Sequence, residues 1–435
     1  MESTFFCPVS TQPAINPDAC MKFTQQVTKT SKEVPHGEVS RNAELLIRAG
    51  FIDKTMAGVY TMLPMGLKVL TKINTIVREE MNALGAEEIL MPALQPKEFW
   101  ETTGRWDYMD VLYRVHSADG SHEFGLGPTH EEVVTPLMKR FILSYRDVPK
   151  AVYQIQTKFR YEPRAKSGIL RGREFCMKDL YSFHLTEADM QEFYERASVA
   201  YFRVFSRVGL SALRVHASGG AFSKFSDEFQ VIAKNGEDTI LYCDCGFAEN
   251  SEIAEVKAGD TCPKCASRQV RAEQSIEVGN IFSLNTRFSE PFKFSIQDQA
   301  GIPTHVLMGC YGIGCSRLMG TVAEVLSDEK GLIWPDAIAP YRIHLVQLGN
   351  DAGVVAAAND VYVQLQSNGV SVLFDDREDV GAGQKFADAD LIGCPRRVVI
   401  SAKTIQAAAV EVKHRASGET QLIPVNEFLD SVMYV

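Results

Sequence analysis

The longest amphipathic pattern in the chain runs through LKVLTKINTIVREEMNALG, where Leu67, Leu70, Ile73, Ile76, Val77, Met81 and Leu84 recur at helical spacing. That period predicts a helix with one buried face, and Gly85 is a natural stop. A shorter helix is predicted over 43–49. The apolar run EILMPAL after the long helix has strand character, with Pro92 near its end. A long amphipathic helix leading into such a strand suits a subunit interface or an ordinary core element. Alternating runs around Ala118-Asp119-Gly120 predict a β-hairpin within 110–130. A second strand pair is predicted at about 153–162 and 174–183, joined by a charged loop through Gly168 and Gly172. Residues 187–210 read as helix and 276–309 as further strands, and GCYGIGCSRLMG turns through glycines into a helix.

Two prolines in LIWPDAIAPY (332–341) coincide with a change of rhythm. Beyond them, strand-like and helix-like segments alternate: IHLVQLG, a helix over 353–367, VSVLFDD, a helix around 384–391, RRVVIS and AVEVKHR. That alternation predicts a compact α/β domain over 341–435. No internal repeat is visible.

Composition narrows the class. A chain of 435 residues, 45% hydrophobic and 23% charged, has the make-up of a globular protein of two or three domains. No apolar run approaches a membrane span. The first twenty residues lack the basic start and apolar block of a secretory signal, and lack the Arg-rich pattern of a transit peptide. They are expected to form a disordered leader, with Met21 as an alternative start. A net charge of −10 excludes a general nucleic-acid coat, so any nucleic-acid contact must come from a local basic patch. Ten cysteines without a secretory signal point to a reducing compartment.

Candidate chemistry sits in four places. KFRYEPRAKSGILRGREFCMKD (158–179) interleaves arginines, acids and apolar residues. On a strand, Arg160 and Glu162 share a face. That pair suits a pocket, where a guanidinium neutralises an anionic oxygen and a carboxylate accepts from an amino group. A solvated edge strand with cross-strand ion pairs is the alternative. GPTHEE aligns Thr129 with Glu131, a hydroxyl and a carboxylate suited to a cationic amine, or else a turn with surface acids; His130 between them is assigned a structural role. Cys243, Cys245, Cys262 and Cys265 form C-x-C…C-x-x-C, close to the spacing of a structural zinc knuckle, with incidental thiols as the alternative. GCYGIGC has the glycine content of a phosphate loop or of close helix packing. GxxxxGK[ST], a helix-opening GxGxxG and HExxH are absent from the sequence.

In order along the chain, LPMGLKV…EEILMPAL, WETTGRWDYM, LGPTHEE, KFRYEPR…GILRGREFCMKDLYSFH, IEVGNIF, MGCYGIGCSRLMGTVAE and DDRED…GQKFADADLIGCPRRVVIS resemble the prolyl-tRNA synthetases of bacterial type, a class II family. The resemblance runs from about Thr28 to the C-terminus. It implies an α+β class II core, an antiparallel sheet flanked by helices, dimeric through the first of these stretches. The implied organisation is an N-terminal extension (1–40, partly disordered), a catalytic domain (41–338, with a short Cys-rich insertion at about 243–268 in place of an editing domain) and an anticodon-binding domain (341–435).

The implied activity joins ATP and L-proline into prolyl-adenylate and transfers proline to the 3′ end of tRNA(Pro), with Mg2+, in a cytoplasmic homodimer without a membrane anchor. By similarity, Arg160 holds the α-phosphate and the amino-acid carboxylate, Glu162 the adenine amino group, Arg171 the phosphates, and Phe175 the adenine ring. Arg317 clamps the far side of the triphosphate, and Glu277 contacts nucleotide or substrate. Thr129 and Glu131 bind the secondary ammonium of proline, with Cys310 lining the ring pocket and Asp179 nearby. Asn280 and Asp227 stand where the family commonly has His, and Tyr161 stands where it has Asp. Another class II amino-acid specificity and a catalytically silent tRNA-binding paralogue are the competing implications.

Overall fold

The computed structural model describes residues 20–33, 38, 40–163, 165, 167–220 and 222–433, so the expected disordered leader, Cys20 apart, lies outside them. The chain divides into two compact units, one spanning Ser31–Ser327 and one joining Met1–Thr30 to Asp328–Val435.

The first unit is built on a nine-stranded, mostly antiparallel sheet. Its order is Phe225–Ile232, Leu213–Ser218, Phe247–Asn250, Asp238–Cys243, Arg271–Asn285, Leu307–Ile313, Glu174–His184, Lys150–Phe159 and Glu87–Glu88. Strand pleating separates two faces. Asp179 pairs with Gln154 and Gly312, and Tyr181 with Val152 and Cys310. Side chains at 154, 158, 179, 181 and 310 therefore share one face. On the other, Lys178 and Tyr311 meet the helix Glu187–Arg207, whose Phe193, Tyr194, Tyr201 and Phe205 are buried. That contact is close: a Cβ at Gly279 would lie 3.2 Å from the rings of Tyr201 and Phe205, which would have to give by a few tenths of an ångström.

The predicted long helix is Pro64–Ala83, with Val69, Ile73, Val77 and Met81 buried and proline in its first turn. Three expectations are corrected. The strand expected over 153–162 ends at Phe159, so Arg160 and Glu162 lie just beyond it. There the Arg160 and Tyr161 N–H groups donate to Arg173 and Val111 carbonyls, and Pro163 bars further ladder pairing. The hairpin expected through 130 stops at Leu126, and Glu131–Met138 is a helix with both its glutamates buried. GCYGIG is not a turn but part of the central strand Leu307–Ile313, with Gly314 preceding the helix Cys315–Val325.

The second unit has a six-stranded sheet in the order Cys20–Lys22, Val372–Asp375, Ile343–Leu348, Arg396–Ser401, Ala409–His414 and Thr420–Pro424. The first four strands run parallel and the last two pairings are antiparallel. Its core includes Ile343, Leu345, Val361, Leu365, Phe374, Val398 and Val410. The Cys20–Lys22 edge strand was not anticipated. Phe23 following it stacks on His344 at 6.1 Å and lies under the Arg377 guanidinium at 3.9 Å.

Candidate active site

A cavity of about 300 Å³ opens on the pocket face of the large sheet. Arg160, Glu162, Arg171, Phe175, Glu277 and Arg317 all line it, so the six residues matched to nucleotide contacts converge from distant segments. Arg160 donates from Nε and a terminal nitrogen to the Pro128 carbonyl, both at 3.3 Å, and sits 5.3 Å above the Phe175 ring. Burial, then the neighbouring Arg317, push its pKa below the usual arginine range. Arg171 donates to Glu162 at 2.7 Å and to Glu237 at 3.0 Å. Arg317 donates to the Leu170 carbonyl at 2.8 Å and to the Glu277 carboxylate at 2.9 Å. The cationic rim is thus held by carboxylates and carbonyls that a polyphosphate can replace.

The residues matched to proline are not among those lining the cavity but cluster beside Pro128, where Arg160 ends: Thr129 donates its hydroxyl to both oxygens of Glu131, at 2.8 and 2.6 Å. The Cys310 thiol donates to the same carboxylate at 3.4 Å; burial and that charge push its pKa well above the thiol range, so it stays neutral. Arg105, 1% exposed, reaches Glu131 at 3.4 Å and Glu132 at 2.9 Å, and is ringed by Trp100, Phe222 and Phe288. Burial, with Glu131 adding to it, holds the Glu132 pKa up at about 7 despite Arg105. Asp179 faces Lys158 at 2.7 Å and accepts from Gln154 at 2.9 Å and Tyr181 at 3.1 Å. Burial, then the Lys158 charge, push His130 down to about 4, and its Nε2 lies 3.1 Å from the Pro92 carbonyl.

A cluster of acids borders the cavity. Gln230 donates to Glu228 at 2.9 Å and to Asp238 at 3.0 Å. Burial and the adjacent Glu277 push Glu228 up to about 7, and burial raises Asp238. Among the described residues these acids do not bring three carboxylate oxygens close enough together to form a cation site by themselves. Asn280 donates to Glu277 at 3.3 Å. Asp227 instead binds Arg214 at 2.7 Å and Tyr194 at 2.9 Å, and is not among the residues lining the cavity. Tyr161 is half exposed and packs edge-on against Tyr113.

Sequence reasoning missed Arg105, Glu132, Lys158, Glu228 and Asp238. Arg105, Glu132 and Lys158 lie within WETTGRWDYM, LGPTHEE and KFRYEPR, but the signal that would have found them is burial of charge, which spacing does not display.

Away from the cavity, Cys243, Cys245, Cys262 and Cys265 come together with all four Sγ atoms within 4.8 Å of one another. Cys243 and Cys265 are 4.0 Å apart, and Cys245 and Cys262 3.5 Å. Four thiolates placed tetrahedrally at about 2.3 Å from one Zn2+ would be about 3.8 Å apart. A disulfide would need about 2.05 Å. The quartet therefore fits a metal ion.

Residues 113–326 match the family model of the class II tRNA synthetase core domain (G, H, P, S and T), and residues 338–433 match an anticodon binding domain. A proline–tRNA ligase of Zymomonas mobilis subsp. mobilis is 39% identical over 94% of this chain and 97% of its own length. One from a Wolbachia of Drosophila simulans is 38% identical over 94% and 99%. Among solved structures, the Giardia lamblia prolyl-tRNA synthetase in complex with prolyl-adenylate superposes with a TM-score of 0.74 at 19% identity, covering 88% of this chain and 74% of that one. The Cryptosporidium parvum enzyme complexed with L-proline and AMP gives 0.74 at 17%, covering 90% and 76%.

Proposed function

This chain belongs to the proline–tRNA ligase family, class II enzymes that join an amino acid to tRNA, and from that premise we propose how its cavity works. ATP enters the outer cavity with its adenine on Phe175 and its amino group facing Glu162. Arg171 takes phosphate oxygens, Arg317 the far end of the triphosphate, and Arg160 the α-phosphate. L-proline enters the inner pocket, its secondary ammonium on Glu131 and Thr129, its ring against Cys310, and Asp179 close by. Its carboxylate then attacks the α-phosphorus in line and pyrophosphate leaves.

Two anions must approach each other in that step, so alignment and charge neutralisation carry the catalysis. Arginine suits the task because it stays charged and presents a planar fork to oxygens. Mg2+, when bound, would shield the phosphates, and Glu277 in the cavity wall is the carboxylate that would meet it. The prolyl group then passes to the 3′-terminal hydroxyl of tRNA(Pro), and AMP leaves. The observation that carries this reading is the meeting of Arg160, Arg171 and Arg317 in one cavity.

The C-terminal unit reads the tRNA, in keeping with its family match. A homodimer forms through the region of the long helix and the stretch after it, where Leu67 and Leu90 are more than half exposed. The compartment is the cytoplasm; among the described residues no helix is long and apolar enough to cross a membrane. The cysteine quartet holds a structural Zn2+. Only a short Cys-rich stretch lies where many relatives carry an editing domain, and excluding a smaller amino acid by binding alone yields only about 1–3 kcal/mol per methylene.

The test is amino-acid-dependent ATP–pyrophosphate exchange with proline, alanine, cysteine and threonine, then charging of tRNA(Pro). Proline gives the highest rate, and alanyl-tRNA, once formed, persists. A different preferred amino acid refutes the specificity; rapid hydrolysis of alanyl-tRNA refutes the absence of editing.

A further inference from the structure

The thiol quartet stands at the far end of the strands that carry the acids of the ATP cavity. Asp238–Cys243 begins with Asp238, which lines the cavity, and ends with the first thiol. Phe247–Asn250 returns from the quartet to Asn250, which donates to Glu228 at 3.3 Å. Arg271–Asn285 leaves the quartet and carries Ser275 and Glu277 into the cavity wall. Cross-strand register ties these ends together, Tyr242 opposite Arg271 and Asp238 opposite Ser275.

Ladder pairs on both sides carry that register along the strands, and the lobe at their far end adds little to it beyond the quartet. Between Asn250 and Arg271 the chain forms turns and one isolated bridge, Thr261 to Gln269. The core of this small lobe is Leu241, Cys243, Cys262 and Val270, with Cys245, Phe247, Ala254, Val256 and Cys265 half-buried against them, so four of these nine side chains are thiols of the quartet. A lobe with so little apolar core draws its folding energy from a bound ion. From Cys243 to Asp238 is five residues, about 17 Å of strand. A slip of one residue along that strand would turn Asp238 to the opposite face of the sheet, out of the cavity.

We infer that a Zn2+ held by Cys243, Cys245, Cys262 and Cys265 is a register clasp for the cavity carboxylates, so that its occupancy controls ATP affinity. The inference rests on the Zn2+ reading of the quartet and adds the linkage. Linkage of this kind is reciprocal: bound ATP slows loss of the ion to the same extent that the ion strengthens ATP binding at equilibrium. Lower ATP affinity follows from misaligned acids around the phosphates, without any contact between ion and nucleotide.

The experiment uses the full-length protein. Metal content is measured by mass spectrometry, the ion is removed with a thiol-displacing mercurial or a chelator, excess reagent is removed and Mg2+ restored. ATP binding is then followed by calorimetry, and exposure of 251–261 by limited proteolysis. The expected result is one Zn2+ per chain, a weakening of ATP binding of about fivefold or more on its removal, new cleavage within 251–261, and recovery of both when Zn2+ is returned. Unchanged ATP affinity in a demonstrably stripped protein overturns the clasp while leaving the metal site standing. A protein isolated from zinc-supplemented cells with no metal, and with the quartet either freely reactive or joined as disulfides, overturns both. Cys245→Ser, which changes one ligand at the edge of the lobe, should show the same weakening; binding equal to that of the parent protein counts against the clasp.

Discussion

The outer and inner halves of the site hold their charges in opposite ways. In the outer cavity Arg171 is about half exposed and shares itself between Glu162 and Glu237, also accessible to solvent. In the buried cluster on the inner side Arg105, Glu131 and Glu132 are almost fully enclosed, and Lys158 and Asp179 likewise. Exposed ion pairs are worth little and exchange readily, which suits a surface that must trade carboxylates for phosphates. Buried pairs are costly to break because the survivor is left charged in a dry pocket. The outer half is built to be rearranged by its ligand, the inner half to keep its shape.

The strongest way to break this contrast is at Arg160, which stands where the halves meet. Arg160→Ala should lower proline-dependent exchange by roughly 10²–10³, the scale for a well-aimed donor. Parent-like rates would remove Arg160 from the chemistry. Next comes Arg105→Met, which keeps volume but strands two glutamates. It should cost about 3–5 kcal/mol of stability in denaturant unfolding, whereas a surface-like loss under 1 kcal/mol would show that the pocket tolerates unpaired charge.

How much of this was legible beforehand follows from range. The helix Pro64–Ala83 was readable because its period is local, and Arg160, Glu162, Arg171 and Arg317 because they sit in stretches that resemble a family. Arg105 was not, since its partners lie 26 and 27 residues on and its charge is hidden by aromatic rings. The strand Cys20–Lys22 is three residues long, too short for any alternation to register, and its place depends on Val372–Phe374 at the other end of the chain. Strand identity at Arg160 failed because pattern alone cannot see where a ladder loses its partner.

A smaller effect sharpens the electrostatics of the acid cluster. Burial and the adjacent Glu277 hold Glu228 up at about 7, so it gains its negative charge in the window from about pH 6 to 8, which would strengthen a cation held at Glu277. Mg2+ affinity should rise as pH passes through that window, and Glu228→Gln should flatten the rise; an unchanged profile in the variant would assign it to another group. Smallest of all is Glu237→Gln. Freed of one carboxylate, Arg171 meets the phosphates more easily, and KM for ATP should fall by no more than about fivefold. A rise above tenfold would mean that Glu237 itself contacts nucleotide or cation.

The most direct measurement is an experimental structure with a non-hydrolysable prolyl-adenylate analogue. The account predicts the ammonium within about 3 Å of Glu131 and Thr129, the phosphate mimic on Arg160, and the adenine on Phe175, with Arg171 released from Glu237. An analogue bound with its ammonium outside the Glu131 pocket, or with Arg160 turned away from it, would contradict the account.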